Sequence, residues 1–350
     1  MNNFNAWVEA INAVLWSSPV LYTLLFTGVV FTFWSGFSQY YALTHGFKVI
    51  RGDYDKADDP GAITHFQALS AALSATVGLG NIGGVALAIS LGGPGAVFWM
   101  WVTGLVGMAT KYSEAVLAVK YREHGANGFK GGPMYYLSNG LNMPKLGMVF
   151  AFFAVIASFG IGNMTQSNAV ASALFSQFEF PTWITGAILL IVTAVVIVGG
   201  VKSIGKTTSF LIPIMIAMYL STALIIIVLN IDKVPGAFGL IFNHAFSPFA
   251  ATGGFVGAAV AAAIRFGIAR GVFSNESGLG SAPIAAAAAR TNDPVKQALV
   301  SMTQTFIDTL VVCTMTAVII LMAPIWLEGN GAGDLTLRSF EYFLGDFGAT

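Results

Sequence analysis

Two glycine-rich runs interrupt apolar segments of this sequence and carry its best candidates for ligand binding. Residues 75–84 read Ala-Thr-Val-Gly-Leu-Gly-Asn-Ile-Gly-Gly, and residues 274–281 read Ser-Asn-Glu-Ser-Gly-Leu-Gly-Ser. Glycine permits backbone angles that break a helix and lets a ligand approach the main chain. Breaks at membrane depth free backbone groups that need polar partners. A matched pair of breaks in different halves of a chain is typical of a transporter's substrate and ion site.

The first run offers groups that suit a zwitterion and a cation. A break leaves a half-helix N-terminus, which favours a carboxylate, and half-helix C-terminal carbonyls, which favour a cation or an ammonium group. Thr76 and Asn81 add side-chain oxygens, which are hard ligands for Na⁺. Two alternatives compete: glycines serve close helix packing, and residues 78–83 match the nucleotide pattern GxGxxG. That pattern needs a preceding strand and an acid about 20 residues on, whereas the next acid here is Glu114.

The composition excludes several classes of protein. Of the 350 residues, 56% are hydrophobic and 9% charged, and the mean hydropathy is +0.75; soluble domains carry about 25% charged residues. The net charge of zero argues against nucleic-acid binding, which needs a basic surface. The single cysteine, Cys313, cannot form an internal disulfide and is read as a small core residue. The first residues lack the basic segment of a signal peptide, so the first apolar run is expected to remain as a span.

We therefore predict an all-α polytopic membrane protein. A crossing needs about 20 mostly apolar residues, and eight segments qualify: 19–41, 66–91, 96–119, 146–175, 183–200, 209–229, 252–289 and 298–324. The seventh is too long for one straight helix, and its polar middle predicts a break near 274–280 with the helix resuming after Pro283.

Basic residues predict the orientation, because Lys and Arg concentrate in cytoplasmic loops. The loops after the first, third, fifth and seventh segments hold eleven Lys and Arg residues, from Lys48 to Lys296, whereas the alternate loops hold only Lys233 and Arg338. This alternation places the N-terminus outside.

If each break begins one repeat of an inverted pair, the chain divides into three parts. Residues 1–61 would be an extra N-terminal helix with its cytoplasmic loop, 62–230 the first five-helix repeat, and 250–350 a partial second repeat. A complete second repeat would need three more spans, on the order of 100 residues with loops. We therefore expect C-terminal spans to be missing from this sequence.

Several motifs resemble one family of transporters. Residues 92–101, Gly-Gly-Pro-Gly-Ala-Val-Phe-Trp-Met-Trp, closely resemble the signature of the sodium:alanine (alanine/glycine:cation) symporter family. Residues 109–114, 131–136, 160–164 and 271–276 look like the same family. The resemblance implies a leucine-transporter-like, inverted-repeat fold with two discontinuous helices, and inward transport of alanine or glycine with sodium.

The resemblance also implies roles for the first run. Gly78 and Gly80 would offer backbone N–H groups to the substrate carboxylate, and the Ala75 carbonyl would face its ammonium group. One sodium ion would contact Thr76 and Asn81. A second sodium ion would contact the carbonyls of Ser74 and Val77.

Other polar residues within the segments extend the candidate site. In the fourth segment, Phe159 is expected to close over a small side chain, with Asn163 or Gln166 hydrogen-bonding in the site; bonds between helices are the alternative. At the second break, the side chains or carbonyls of Phe273, Ser274 and Asn275 are expected opposite Gly78.

Ionisable residues within the segments are functional candidates by default. Asp308 is the only aspartate at membrane depth, and we predict that it binds sodium or takes a proton in its place; hydrogen bonding between helices is the alternative. For Lys111 and Glu114, three residues apart, the spacing predicts an intrahelical ion pair.

The sequence thus predicts a sodium-coupled symporter for a small neutral amino acid, multi-pass in a bacterial inner membrane and without a cofactor. A proton-coupled carrier is the main alternative. An intramembrane hydrolase lacks a second aspartate or a histidine within the segments, and a channel does not need alternating repeats. Lipid, the amino acid and Na⁺ are the expected partners.

Overall fold

The computed structural model describes residues 2–56, 58–125, 128–247, 256–328 and 334–345. The described chain is mostly helical, and four π-helical segments are set into the helices. The start of the predicted seventh span at 252–255 and the last residues, 346–350, lie outside the described residues.

The N-terminal part is helical almost throughout. A kink at Gly36 and Phe37, both with positive φ, ends the second helix earlier than the predicted boundary at residue 41. The elements of this part are α1 (Asn2–Leu15), α2 (Ser18–Trp34), α3 (Ser38–Tyr41), a π-segment (Ala42–Gly46) and α4 (Phe47–Ile50).

The next part contains the first predicted break. Its elements are α5 (His65–Thr76), a π-segment (Gly80–Gly84), α6 (Val85–Gly92), α7 (Ala96–Lys120), β1 (Glu123–Gly125), β2 (Gly128–Lys130), α8 (Pro133–Asn139), α9 (Pro144–Phe159), a π-segment (Gly160–Met164), α10 (Thr165–Phe178), α11 (Thr182–Val198) and α12 (Gly200–Leu229). The two strands pair antiparallel.

The last part contains the second predicted break. Its elements are α13 (Val234–Phe246), α14 (Val256–Asn275), α15 (Ala282–Ala286), α16 (Pro294–Thr305), a π-segment (Phe306–Cys313), α17 (Thr314–Met322), a 3₁₀ turn (Pro324–Glu328) and α18 (Leu335–Leu344). The short helices α8, α13 and α18 and the β-hairpin were not predicted, because none of them has the length or continuous apolar character of a crossing.

Fewer helices meet the simple requirements for a crossing than the eight predicted segments. In the described residues, four are long and apolar enough: Asn5–Trp34, Pro144–Phe178, Gly200–Leu229 and Pro294–Met322. His65–Thr76 and Gly80–Gly92, bent by 52°, make a fifth if counted together. Helix α11, with 17 residues, is short for a crossing, and α7 carries Lys111 and Glu114. The membrane character agrees with the sequence, and the count of eight stays a prediction.

Helix α7 is the centre of the packing. Its most extensive contacts are with α14 and α16, and it also contacts α2. Buried residues of α6, α7, α12, α13 and α17 form the largest apolar cluster. Since α7 contacts both helices that flank the polar centre, its small residues decide how closely the broken segments approach one another.

Arg122, just beyond α7, binds four main-chain carbonyls of two distant loops. Its Nη1 donates to Ala287 (2.9 Å) and Ala289 (2.8 Å), and its Nη2 to Pro60 (3.1 Å) and Thr291. One guanidinium therefore joins the loop before α5 to the loop after α15.

We expect Arg122→Met to lower the free energy of unfolding by about 2–4 kcal/mol, because charged hydrogen bonds contribute about 1.5–3 kcal/mol each and the freed carbonyls partly rehydrate. Thermal unfolding of the purified protein in detergent measures this. Arg51→Met is the control, since the Arg51 side chain is 70% exposed and only pairs with Asp53 at 2.9 Å, a contact worth about 0–1 kcal/mol. Equal melting temperatures for the two variants would contradict the assignment.

Candidate functional site

The first break follows Thr76. Helix α5 starts with a capping box in which Thr64 accepts from the Gln67 N–H and the Gln67 side chain accepts from the Thr64 N–H, so its start is well defined. Val77 is extended (φ −77°, ψ 106°), and the chain becomes helical again at Gly80. The Asn81 Oδ1 accepts from the Gly78 N–H at 2.8 Å. Asn81 thus caps a main-chain donor that the break frees.

The second break follows Asn275. Three residues have positive φ: Glu276 (56°), Gly278 (87°) and Gly280 (79°), and a helix cannot continue through them. The Asn275 Oδ1 accepts from the Ser277 N–H at 2.9 Å. Each break thus has an asparagine that binds a freed main-chain N–H.

Asn81 connects the two breaks to Asp308. Its Nδ2 lies 3.2 Å from Ser274 Oγ, 2.8 Å from Asp308 Oδ1 and 3.0 Å from the Asp308 carbonyl. Asn81 and Ser274 are each 1% exposed and Asp308 is fully buried. Residues that lie 193 and 227 positions apart therefore form one buried polar centre.

A π-helical segment, Phe306–Cys313, presents the carboxylate to this centre. Ser274 Oγ donates to Asp308 Oδ2 at 2.8 Å and Thr309 Oγ1 donates to the same oxygen at 2.9 Å. The Asn275 Nδ2 donates to Thr309 Oγ1 at 3.1 Å. Such π-helical turns within α-helices occur often at functional sites, because they displace a side chain from the regular helical register.

Gly80 lets the two breaks touch. A β-carbon at this position would lie 2.9 Å from the Ser274 Cα, closer than carbon atoms approach without a shift of the backbone. The role implied for Gly80, a donor to a carboxylate, is untested, whereas its role in packing follows directly from this contact.

Thr76 has a partner that sequence reasoning missed. The Nε2 of Gln304, a fully buried residue of α16, donates to Thr76 Oγ1 at 2.9 Å, and the Gln304 Oε1 is buried without a hydrogen-bond partner in the described structure. The sequence does contain an indication of this contact, because so many polar residues between Gln297 and Thr305 are unusual for a membrane helix.

Other predicted residues lie outside the buried centre. Ser74 and Ala75 are exposed, and Ser74 Oγ donates to the Ala71 carbonyl at 2.7 Å. Val77 is half-buried beside an apolar cluster of α4, α5, α12 and α16.

The fourth predicted segment contributes one nearby side chain. Gln166 is half-buried, and its Oε1 lies 3.6 Å from where a β-carbon of Gly78 would be. Phe159 is 65% exposed and Asn163 is exposed as well. At the second break, the Phe273 ring lies 6.4 Å from that of Trp16 and 5.5 Å from the Arg270 guanidinium, so this side chain packs towards the N-terminal helices.

The chemistry of the centre suits a hard cation. Its oxygen ligands would be one carboxylate and two hydroxyls, those of Asp308, Ser274 and Thr309, which bind Na⁺ rather than a soft metal. The Asn81 amide turns its Nδ2 to this centre and its Oδ1 to the Gly78 N–H. In the described residues, there is no cluster of three or more His, Cys, Asp or Glu side chains that could hold a metal ion. A single buried carboxylate held by neutral donors keeps its affinity for one positive charge, whether Na⁺ or a proton.

Comparison with known proteins identifies the family. The model of the sodium:alanine symporter family matches residues 1–350. The sodium/alanine symporter AgcS of Methanococcus maripaludis is 52% identical to this chain, over 97% of this chain and 76% of its own length. The probable sodium/glutamine symporter GlnT of Bacillus subtilis is 42% identical, over 96% of this chain and 70% of its own length. The putative sodium/proton-dependent alanine carrier YrbD of the same organism is 40% identical, over 96% of this chain and 68% of its own length. The relatives are transporters and not enzymes, which excludes the hydrolase alternative. This chain belongs to the sodium:alanine symporter family of membrane-embedded, cation-coupled amino-acid transporters.

Proposed function

We propose that this protein imports a small neutral amino acid, alanine or glycine, together with sodium. The observation that carries the proposal is the buried network in which Asn81 joins Gly78, Ser274 and Asp308. A cation would be bound by Asp308, Ser274 and Thr309. Because Asn81 contacts both this cation site and the first break, occupancy of the site and the conformation of the break would be linked.

The substrate amino acid would bind at the first break. Its carboxylate would replace the Asn81 Oδ1 as the acceptor of the hydrogen bond from the Gly78 N–H, with the half-buried Gln166 nearby. Its ammonium group would face the carbonyls at the end of α5. The Gln304–Thr76 bond would hold that end in place. Because one relative is named for glutamine, the size of the substrate's side chain has to be decided for this protein. The close contact of Gly80 with Ser274 favours a substrate with a small side chain.

The protein would transport its substrate by alternating access. Residues 62–230 would form one inverted repeat and residues 250–350 would belong to the other, with eight spans, the N-terminus outside and the protein in the inner membrane. The two breaks that meet at Asn81 would be the points at which the repeats move.

Uptake of labelled alanine into proteoliposomes tests the proposal. We expect an inward sodium gradient to drive saturable accumulation above the external concentration, and unlabelled glycine to compete better than unlabelled glutamine. The same uptake is also measured with a proton gradient and no sodium, since one relative is named for both ions and the single carboxylate Asp308 can bind a proton. Accumulation driven by protons alone would replace sodium in the proposal, and equilibration without accumulation would contradict symport.

A further inference from the structure

Cys313 contacts the buried polar centre, which the sequence reasoning did not foresee. A small core residue was predicted, and the side chain is indeed 2% exposed and belongs to the largest apolar cluster. Its sulfur, however, lies 3.3 Å from Asn81 Nδ2 and 3.4 Å from Ser274 Oγ. A thiol donates one weak hydrogen bond and accepts weakly through its sulfur. The proposed cation site therefore has a further polar group beside it that the proposed mechanism does not use.

Ser274 has a single hydroxyl hydrogen and two acceptors within its reach. In the structure, Ser274 Oγ donates to Asp308 Oδ2 at 2.8 Å, and a hydrogen bond to a carboxylate is stronger than one to a neutral group. The Cys313 sulfur lies 3.4 Å from the same serine oxygen. Without a cation, the hydrogen is therefore directed to Asp308, and the sulfur is a second acceptor close by.

Binding of a cation would change which acceptor this hydrogen can use. A hydroxyl group binds a cation through a lone pair of its oxygen, so its hydrogen has to point away from the ion. Asp308 would face the same ion in the proposed site, so the Ser274 hydrogen would have to leave Asp308. Among the described residues, the other side chains that contact Ser274 Oγ are Asn81, whose Nδ2 is itself a donor, and Cys313. The sulfur is therefore the acceptor to which the hydrogen would turn.

We propose that Cys313 is a positioning residue of the cation site, because its sulfur takes the Ser274 hydrogen when the cation binds and so frees the serine oxygen to coordinate the ion. The inference rests on the proposed function, since it assumes a cation beside Asp308 and Ser274. Cys313 acts through Ser274 and does not bind the ion itself, because soft sulfur is a poor ligand for Na⁺. A weak acceptor gives the site a moderate affinity, which suits an ion that has to be released in every transport cycle.

Two substitutions of Cys313 are expected to shift the sodium requirement in opposite directions. Cys313→Ser supplies a stronger acceptor, so the half-saturating sodium concentration should fall by about two- to fivefold, the factor that a weak neutral hydrogen bond supplies. Cys313→Ala removes the acceptor, so this concentration should rise by about two- to fivefold. Both new side chains are smaller than cysteine, so a role in packing alone would shift both variants in the same direction. The measurements are sodium-dependent alanine uptake and sodium-dependent thermal stabilisation of the purified protein.

Val312→Ala is the matched control for lost packing. Val312 precedes Cys313 in the same π-helical segment, is equally buried at 2% exposure, and has no polar side-chain group. Its truncation should lower the melting temperature and leave the half-saturating sodium concentration at the wild-type value. A rise as large as that of Cys313→Ala would assign the effect to packing and overturn the proposal.

The Ser274→Ala background shows whether Cys313 acts through Ser274. Without the serine oxygen, neither Cys313→Ser nor Cys313→Ala should shift the half-saturating sodium concentration any further, so the double-mutant cycle should show full coupling. If Cys313→Ser still tightens sodium binding in this background, the new hydroxyl binds the ion directly and the proposal is overturned. If Ser274→Ala binds no sodium, the two single variants decide: shifts of opposite sign support the proposal, and shifts of equal sign overturn it.

The sodium response of the wild type separates this proposal from the proposed function. If sodium stabilises the wild type and drives uptake while both Cys313 variants keep the wild-type sodium requirement, the role of Cys313 alone is contradicted. If sodium neither stabilises the wild type nor drives uptake, the proposed function fails and the role of Cys313 fails with it.

Discussion

Replacing Asp308 by asparagine is expected to reduce sodium-driven alanine uptake by at least about 30-fold, since hydrogen bonds to a charged group contribute about 1.5–3 kcal/mol each. Three donors converge on this carboxylate: Asn81 Nδ2, Ser274 Oγ and Thr309 Oγ1. An asparagine has the same shape but only one acceptor oxygen. Its NH₂ group would face a donor in the network, and the negative charge that attracts the cation would be absent.

The measurement compares initial uptake rates at equal amounts of folded protein. Asp232→Asn, which changes an exposed carboxylate in the loop between α12 and α13, is the matched control and should transport like the wild type. Sodium should no longer raise the melting temperature of Asp308→Asn. Sodium-driven uptake at the wild-type rate in a folded Asp308→Asn protein would remove this residue from the proposed cation site.

Gly80→Ala should reduce uptake by at least about tenfold and lower the melting temperature, because forcing extra atoms into a packed interior costs about 1–3 kcal/mol. The new β-carbon would lie 2.9 Å from the Ser274 Cα and 3.3 Å from its Oγ. The first of these atoms is main chain and cannot rotate away. The two breaks would have to separate, which would lengthen the Asn81–Ser274 bond.

Gly83→Ala is a close control for this effect. It lies in the same π-helical segment, and its β-carbon would meet only Leu79 Cδ1 at 3.5 Å, an ordinary contact. Both changes gain the same helix propensity of alanine over glycine, about 1 kcal/mol. If the two variants lost the same amount of uptake, the loss would come from stiffening of the segment and not from contact with Ser274.

The breaks themselves were predictable from local sequence. Gly278 and Gly280 have positive φ, which glycine adopts at little cost, and the second interruption lies between Asn275 and Ala282, close to the prediction. The first break was predicted within residues 75–84, and the helix is interrupted there, with Val77 extended and Gly80 already beginning the next helical segment. The freed N–H of Gly78 is bound by Asn81 three residues on, so local contacts decide the end of α5.

The partners of the broken segments were only partly predictable. Asp308 was singled out as an acid at membrane depth, but its contact with both Asn81 and Ser274 depends on the packing of α14 and α16 against α7. Gln304 was missed because helical periodicity alone does not say which polar face meets the end of α5. The spacing of Lys111 and Glu114 predicted an ion pair; among the described residues no direct ion pair joins them, and Glu114 Oε1 accepts instead from the Gly280 N–H at the second break at 3.0 Å.

By itself, the sequence determined that this protein is a membrane protein, that two of its helices are interrupted within glycine-rich runs, and which acid lies deep within it. Those properties depend on composition and on backbone angles, which are local. The tertiary structure alone decided that Asn81, Ser274 and Asp308 meet and that Gly80 allows this approach. These contacts join residues that are distant in the chain, and they follow from how whole helices pack and rotate against one another.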